Sequence, residues 1–384
     1  MSLGRGWQGA RELTVRIDSA AGSEAGTIAA LAYPDLVGEP AVGDRVLLNV
    51  SAQERGLGTG GYALVVALPD RLPADAPSRP GHLVKARYTP IQTMVLGVDE
   101  QESEHHAALA DADDLLGMPC VVADLHSALP AVIAGLRHAA QRDGLAPPRV
   151  AYVMTDGGAL PVWFSRTVAG LREAGWLDTC VSVGQAFGGD LEAVNVHTGL
   201  LAARHVGAAD VAVVTQGPGN LGTGTRWGFS GVAAGEAINA VAALRGRPVA
   251  ALRISGADTR SRHRGVSHHS LTAYGRVALS RADVVVPDLA GSADPALVAL
   301  GSQVDLQVTA LGGRSRGHRI VRVPVTDLYA ALDASPVELS TMGRGLAEDP
   351  AAFLASAAAG AHAAALWRDG PGPIPLPVRT RDLP

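Results

Sequence analysis

Short alternating and β-branched runs open the chain: Leu13–Ile17, Gly26–Ala32, Asp44–Val50 and Ala63–Val66, parted by turn residues such as Ala41-Val42-Gly43-Asp44. A period of two puts apolar side chains on one face of a strand, so this spacing predicts a small β-barrel-like module. Pro69, Pro73, Pro77 and Pro80 then mark a polar, proline-rich linker, which sets a boundary at about residue 80. From about Met94 the pattern changes. Short apolar runs alternate with longer Ala- and Leu-rich stretches, the signature of parallel strands joined by helices. The strand candidates are Cys120–Ala123, Arg149–Thr155, Thr179–Val183, Asp210–Thr215, Pro248–Ile254, Asp283–Pro287 and Ile320–Val323. Helices are expected over Pro130–Gln141, Phe164–Glu173, Gly199–His205 and Val232–Leu244. The expected fold class is α/β, a mainly parallel sheet with helices on both faces over residues 81–369. The β-rich module of residues 1–80 precedes it and an extended tail, 370–384, follows. In such sheets ligands bind beyond the C-terminal ends of the strands, so polar clusters at those ends are the candidates for function.

Composition removes several chemistries. With 384 residues, 47% hydrophobic and 18% charged, the chain suits two ordered domains rather than disorder. A net charge of −5 and a pI near 6.2 give no broad attraction to nucleic acid or to an anionic membrane. Lysine occurs once, at Lys85 in a linker-like stretch, so no glycine-rich loop has a Walker lysine and a Schiff base would fall on Lys85 alone. Cys120 and Cys180 make neither a CxxC motif nor a disulfide framework, and read as buried thiols. The N-terminus has no apolar run of signal-peptide length and no later run is long enough to span a bilayer, so the cytoplasm is the expected location.

The strongest chemical signal is Val213–Thr225, which reads Val-Val-Thr-Gln-Gly-Pro-Gly-Asn-Leu-Gly-Thr-Gly-Thr directly after a predicted strand. Glycine lets backbone N–H groups approach an anion closely, and the helix expected near Val232 adds the positive end of its dipole. Gly217, Gly219, Asn220, Gly222, Thr223, Gly224 and Thr225 are therefore candidate ligand-binding residues. The order GPGNLGTG departs from the dinucleotide fingerprint, and a loop whose glycines serve only tight turns is the plain alternative.

Asp258–Ser270 packs three arginines, three histidines and an aspartate into thirteen positions after another predicted strand. Arg260, Arg262 and Arg264 suit a phosphate or carboxylate; His263 and His268 suit proton transfer, with Asp258 to orient them. Adjacent His268 and His269 point in different directions on a regular element, so one of the two is expected at the site. A divalent metal on His263, His268 or His269, with Asp258 or a carboxylate from another strand, is open, since the spacing matches no zinc motif; the alternative is a solvated basic loop. Asp156, in Met154–Pro161, and Asp190, after Gly188 and Gly189, are further carboxylate candidates, each equally a helix cap. Asp124 or His126 ends another strand near the same place, whereas Ser103-Glu104-His105-His106 reads as a helix start.

The segments Gly217–Thr225, Asp258–Ser270, Thr155–Pro161 and Gln185–Asp190 together resemble an uncharacterised bacterial domain-of-unknown-function family, over most of the chain after about Thr93. The resemblance implies that these loops recur together and implies no activity. The residues themselves predict an enzyme for hydrolysis or group transfer on a small anionic substrate, phosphorylated or carboxylated. No GxSxG elbow is present, which disfavours a serine hydrolase. The competing expectation is a non-catalytic sensor or assembly protein that binds a metabolite or nucleotide with the same loops. Two-fold assemblies being the commonest, a homodimer is expected.

Overall fold

The computed structural model describes residues 2–17, 26–57, 60–75, 78–314 and 317–370. The expected tail beyond Gly370 lies outside the described residues, as do two residues of the proline-rich linker, Ala76 and Pro77.

Strands β1 (Ser2–Trp7), β2 (Ala10–Arg16), β3 (Thr27–Ala32), β4 (Leu47–Asn49) and β5 (Ala63–Ala67) form a mixed sheet in the order β1-β2-β3-β5-β4. Only β3 and β5 are parallel neighbours. Alternation turns Leu13, Val15, Ala30, Ala32, Ala63 and Val65 inward, and with Leu68 just past β5 these make a core separate from that of the larger unit. The Trp7 indole donates to the Trp163 carbonyl at 2.6 Å, and Tyr33 packs on the Trp163 ring at 6.1 Å between centroids. The module therefore docks on the larger unit through aromatic side chains.

A hairpin, β6 (Leu83–Lys85) and β7 (Thr93–Val95), leads into the larger unit. Lys85 is part of this hairpin and is fully buried, which corrects its expected place in a linker. Its Nζ donates to the carbonyls of Ala186 and Ala193 at 2.9 Å each and lies 3.3 Å from Glu192 Oε2. Burial pushes the Lys85 pKa down and that of Glu192 up, and each charge partly offsets the shift of the other. A buried pair of this kind fastens the hairpin to the sheet edge.

The large sheet comprises β8 (Pro119–Val122), β9 (Val150–Thr155), β10 (Thr179–Ser182), β11 (Leu191–Glu192), β12 (Val211–Gln216) and β13 (Arg247–Ala251). After a short antiparallel pair, β14 (Ile254–Ser255) and β15 (Gly265–Val266), it continues with β16 (Asp283–Asp288) and β17 (Arg319–Pro324). Its order is β11-β10-β9-β12-β8-β13-β16-β17 and every neighbouring pair is parallel. The inner strands are apolar along their length because both faces are covered. The expected strands are present, but Pro248–Ile254 ends at Ala251; the chain turns there and Ile254 pairs with Val266 instead.

Helices Val196–His205 and Ala233–Ala243 cover one face, and helices Leu129–Arg142 and Pro350–Arg368 the other. The second pair crosses at glycines. A Cβ on Gly135 would lie 2.0 Å from the Ala357 carbonyl oxygen, and one on Gly360 would lie 1.9 Å from that of Val132. Helix Pro350–Arg368 was outside the expected set because it is apolar nearly all round and so has no polar face to reveal a 3.6-residue period. A last small hairpin, β18 (Ser340–Thr341) and β19 (Arg344–Gly345), carries Arg344. Among the described residues no helix is long and apolar enough to cross a membrane.

Candidate functional site

The C-terminal ends of three adjacent central strands, β12, β8 and β13, bring the polar residues together. Asp124 follows β8, Gln216 ends β12, and Arg253 follows β13. Asp124 is only 3% exposed, yet its Oδ2 has no hydrogen-bond partner among the described residues. A buried carboxylate oxygen without a donor is costly, so this atom marks the place as one built for something other than packing. His269 Nδ1 is 3.7 Å from that atom. The Arg253 guanidinium lies 3.3 Å from the same Nδ1. Gln216 braces the backbone: its Nε2 donates to the Asp124 carbonyl at 2.7 Å and to Asn220 Oδ1 at 3.0 Å.

Three histidine rings meet beside Asp124. Ring centroids are 4.4 Å apart for His268 and His269, and 4.9 Å apart for His263 with either. One ring nitrogen from each lies within 4.8 Å of those of the others. Both His268 and His269 are thus in the cluster, where one was expected. The pair opens a five-residue helix, His268–Thr272, capped by Ser267 Oγ, which accepts from the His269 amide. Stacking on Phe229 turns the His269 ring inward, and His268 leans toward it, so the roughly 100° between successive helical side chains does not separate the rings. A π-helical turn, Ala273–Val277, follows directly, a local irregularity common at functional sites.

Burial pushes the His263 pKa down to about 3, helped by the charges of Arg253 and Arg260. It pushes that of His268 down to about 4, helped by His269 and Arg262. Both imidazoles are uncharged at neutral pH, the form that accepts a proton or ligates a metal. His263 Nδ1 is 2.8 Å from Ser267 Oγ, and His268 Nε2 is buried without a partner.

The other expected residues are placed differently. Asp258 is held by Arg260 in a bidentate pair, Nε to Oδ1 at 2.9 Å and Nη2 to Oδ2 at 2.8 Å. Arg344 stands 3.5 Å from Asp258 Oδ2 and donates to Asp349 Oδ2 at 3.1 Å. The Arg260 guanidinium holds the Asp258 carboxyl well below the usual carboxylate range. Asp258 and Arg260 thus engage each other, and the carboxylate that meets the histidines is Asp124. Asp190 pairs with Arg172 and accepts from the Cys180 amide at 2.8 Å, near the start of β10 and away from the cluster. Asp156 is exposed and accepts from the Gln185 amide at 2.9 Å. Arg262 and Arg264 are exposed and make no ion pair among the described residues.

The glycine segment is a hairpin-like tongue. Leu221–Trp227 is exposed, Gly222 bridges to Phe229 at the base, and Thr223 and Thr225 bond to Gly228 within the tongue. Asn220 Oδ1 accepts from Ser230 Oγ at 2.9 Å as well as from Gln216, tying the two ends. Gly217 and Gly219 lie against the loop after β9, their carbonyls 2.3 and 2.7 Å from a Cβ placed on Gly158. At the tip a Cβ on Gly224 would come within 3.9 Å of Arg262 Nη2, so the tongue hangs beside the arginine segment. Asp124 and Arg253 were readable only as strand-end positions; Phe229 and Arg344 carry no signal in the sequence, because their partners come from remote segments.

Residues 29–360 match a family described as "Protein of unknown function (DUF3866)". The chain belongs to this family. No curated protein matches the chain. The family's span starts within β3, well before Thr93, so it takes in part of the N-terminal sheet, and it includes every residue of the cluster. The sheet, the tongue and the histidine segment therefore belong to one family unit.

Proposed function

We propose that the chain is an enzyme for hydrolysis or group transfer on a small anionic molecule, phosphorylated or carboxylated. The observation that supports this best is the convergence of His263, His268 and His269 on one another, with His269 facing the partnerless Asp124 Oδ2 and Arg262 and the glycine tongue alongside. On this reading Arg262 and the exposed backbone of Gly222 and Gly224 hold the anion. Uncharged His268 accepts the proton of an attacking water or hydroxyl, with His263 beside it, and the buried Asp124 carboxylate on the far side of His269 balances the positive charge that then develops on His268. The protein acts in the cytoplasm as a homodimer on a dissolved metabolite; the net charge of −5 supports a partner other than nucleic acid.

The test is a thermal-shift screen with inorganic phosphate, phosphate esters and carboxylates, followed by turnover assays on whatever compound raises the midpoint. The expected result is a shift reduced by Arg262→Ala, with turnover lost in His268→Ala. A shift without turnover on any compound would replace the enzyme by a metabolite-binding sensor. No shift across the panel would remove the anion site.

A further inference from the structure

We infer that His263, His268 and His269 bind a divalent transition metal of the zinc class. The inference rests on the same cluster as the functional reading above but not on the identity of the anion, and it replaces the proton-accepting role of His268, because a ligating imidazole has no lone pair left for a proton.

Three imidazoles packed this closely share one space, with a ring nitrogen of each within 4.8 Å of the other two. Two of the nearby buried polar atoms, His268 Nε2 and Asp124 Oδ2, have no partner among the described residues. A cation between the rings gives three lone pairs a common acceptor and gives Asp124 a compensating positive charge.

The surroundings match what metal-bound histidines require. A ligating imidazole normally engages its other ring nitrogen with a hydroxyl, carbonyl or carboxylate, which fixes its orientation. His263 Nδ1 meets Ser267 Oγ at 2.8 Å, and His269 Nδ1 faces Asp124 Oδ2 at 3.7 Å. That leaves Nε2 of His263 and of His269 for the ion, together with the unpartnered Nε2 of His268. Arg253 Nη1, which can only donate, lies 3.3 Å from His269 Nδ1, so ligation through Nε2 requires the guanidinium to give way to Asp124 Oδ2, now 3.7 Å away, as the partner of Nδ1. Tetrahedral zinc with bonds of about 2.1 Å needs its nitrogens roughly 3.4 Å apart, so rings whose nitrogens now lie within 4.8 Å draw together on binding.

The donor set also selects the ion. Three imidazole nitrogens suit zinc, nickel, copper or iron, whereas magnesium and calcium require oxygen ligands. Three protein ligands leave one position for water or substrate, as in catalytic rather than structural zinc sites.

The experiment uses the full chain, purified without a histidine tag, stripped with a chelator and dialysed against Zn²⁺ or Co²⁺. One equivalent of metal should bind, and bound cobalt should show the intense visible absorption of a tetrahedral site. Asp124→Asn should weaken binding roughly ten- to hundredfold. His268→Ala and His268→Gln should both abolish stoichiometric binding, the glutamine keeping bulk and polarity where alanine disturbs folding. The inference is overturned if the wild-type chain takes up neither ion at micromolar concentration, or if both His268 variants bind like wild type. Anion-induced stabilisation without metal uptake would leave the functional reading standing and sink the metal; metal uptake without any anion response would do the reverse.

Discussion

Phe229 lies flat on His269, their rings parallel within 1° and 3.8 Å apart between centroids. Because the backbone of Phe229 also bridges to Gly222 at the base of the tongue, a single residue joins the glycine segment to the histidine cluster, with its ring making the contact on the histidine side. Phe229→Ala should detach the two. Aromatic stacking contributes about 1 kcal/mol beyond burial, so anion binding should weaken about fivefold and amide exchange in residues 219–228 should speed up. Phe229→Leu restores apolar bulk without a stacking face, and should recover melting temperature more fully than affinity. Hydrogen-exchange mass spectrometry beside an affinity titration separates these effects; unchanged exchange in Phe229→Ala would show that the tongue is held by its own hydrogen bonds.

The crossing of helices Leu129–Arg142 and Pro350–Arg368 depends on two absent methyl groups. A Cβ at Gly135 or Gly360 would meet backbone carbonyl oxygen at 2.0 or 1.9 Å, and backbone inside a packed layer cannot step aside as a flexible side chain can. Gly360→Ala should therefore destabilise by about 2 kcal/mol or more despite the better helix propensity of alanine. Urea denaturation measures it. A neutral or stabilising result would mean that the two helices are free to separate.

Asp258 anchors the arginine segment rather than serving as a proton acceptor. It is buried, bidentate to Arg260 and close to Arg344, which in turn binds Asp349. Asp258→Ala leaves two guanidinium groups without their shared carboxylate; because Arg260 is 39% exposed and Arg344 keeps Asp349, the cost is about 1–2 kcal/mol, from the lost hydrogen bonds. The variant should be less stable, while any turnover left in its folded fraction should keep the wild-type pH profile. A shifted profile in correctly folded protein would instead return Asp258 to the chemistry.

The inner strands of the large sheet were legible because parallel strands buried on both faces read as unbroken apolar runs, whereas β11, two residues at the edge, was not. The same rule overran at Pro248–Ile254, where Leu252 and Ile254 stay buried although the chain has already turned. β1, Ser2–Trp7, could not be read: it is exposed almost throughout and has two glycines, so it lacks an apolar period. In the site, His263, His268 and Arg262 stood out by sheer density of polar residues in an apolar chain. The spacing of Asp258 and Arg260 looks the same whether the pair is catalytic or self-engaged, and only the bidentate geometry separates the two. Lys85 was misread since its partner, Glu192, lies on a distant strand. Asp124 was legible as a strand-end carboxylate near the site, but its meeting with His269, like the role of Phe229, comes from contacts made in three dimensions.

His126 ties pH to stability at a place outside the histidine cluster. It is buried, with Nδ1 2.9 Å from the Tyr152 hydroxyl and Nε2 2.7 Å from Ser165 Oγ, the atom that also caps helix Arg166–Glu173. Burial pushes its pKa down to about 4, below the ordinary 6.5, so the folded chain keeps the ring neutral. Between those values the unfolded chain binds a proton that the folded chain refuses. Stability contributed by the neutral ring is complete above about pH 6.5 and falls with pH toward 4, by at most about 1.4 kcal/mol per unit. His263 and His268 add the same sign of dependence, so the measurement must be a difference. Urea titrations of wild type and His126→Gln from pH 7.5 to 4.5 supply it. The variant should start less stable by about 1–3 kcal/mol for its lost hydrogen bonds, and the gap should narrow as the pH drops. A gap that stays constant over that range would mean that the ring is protonated with little cost inside the fold, and that solvent or a rearranged Tyr152 reaches it.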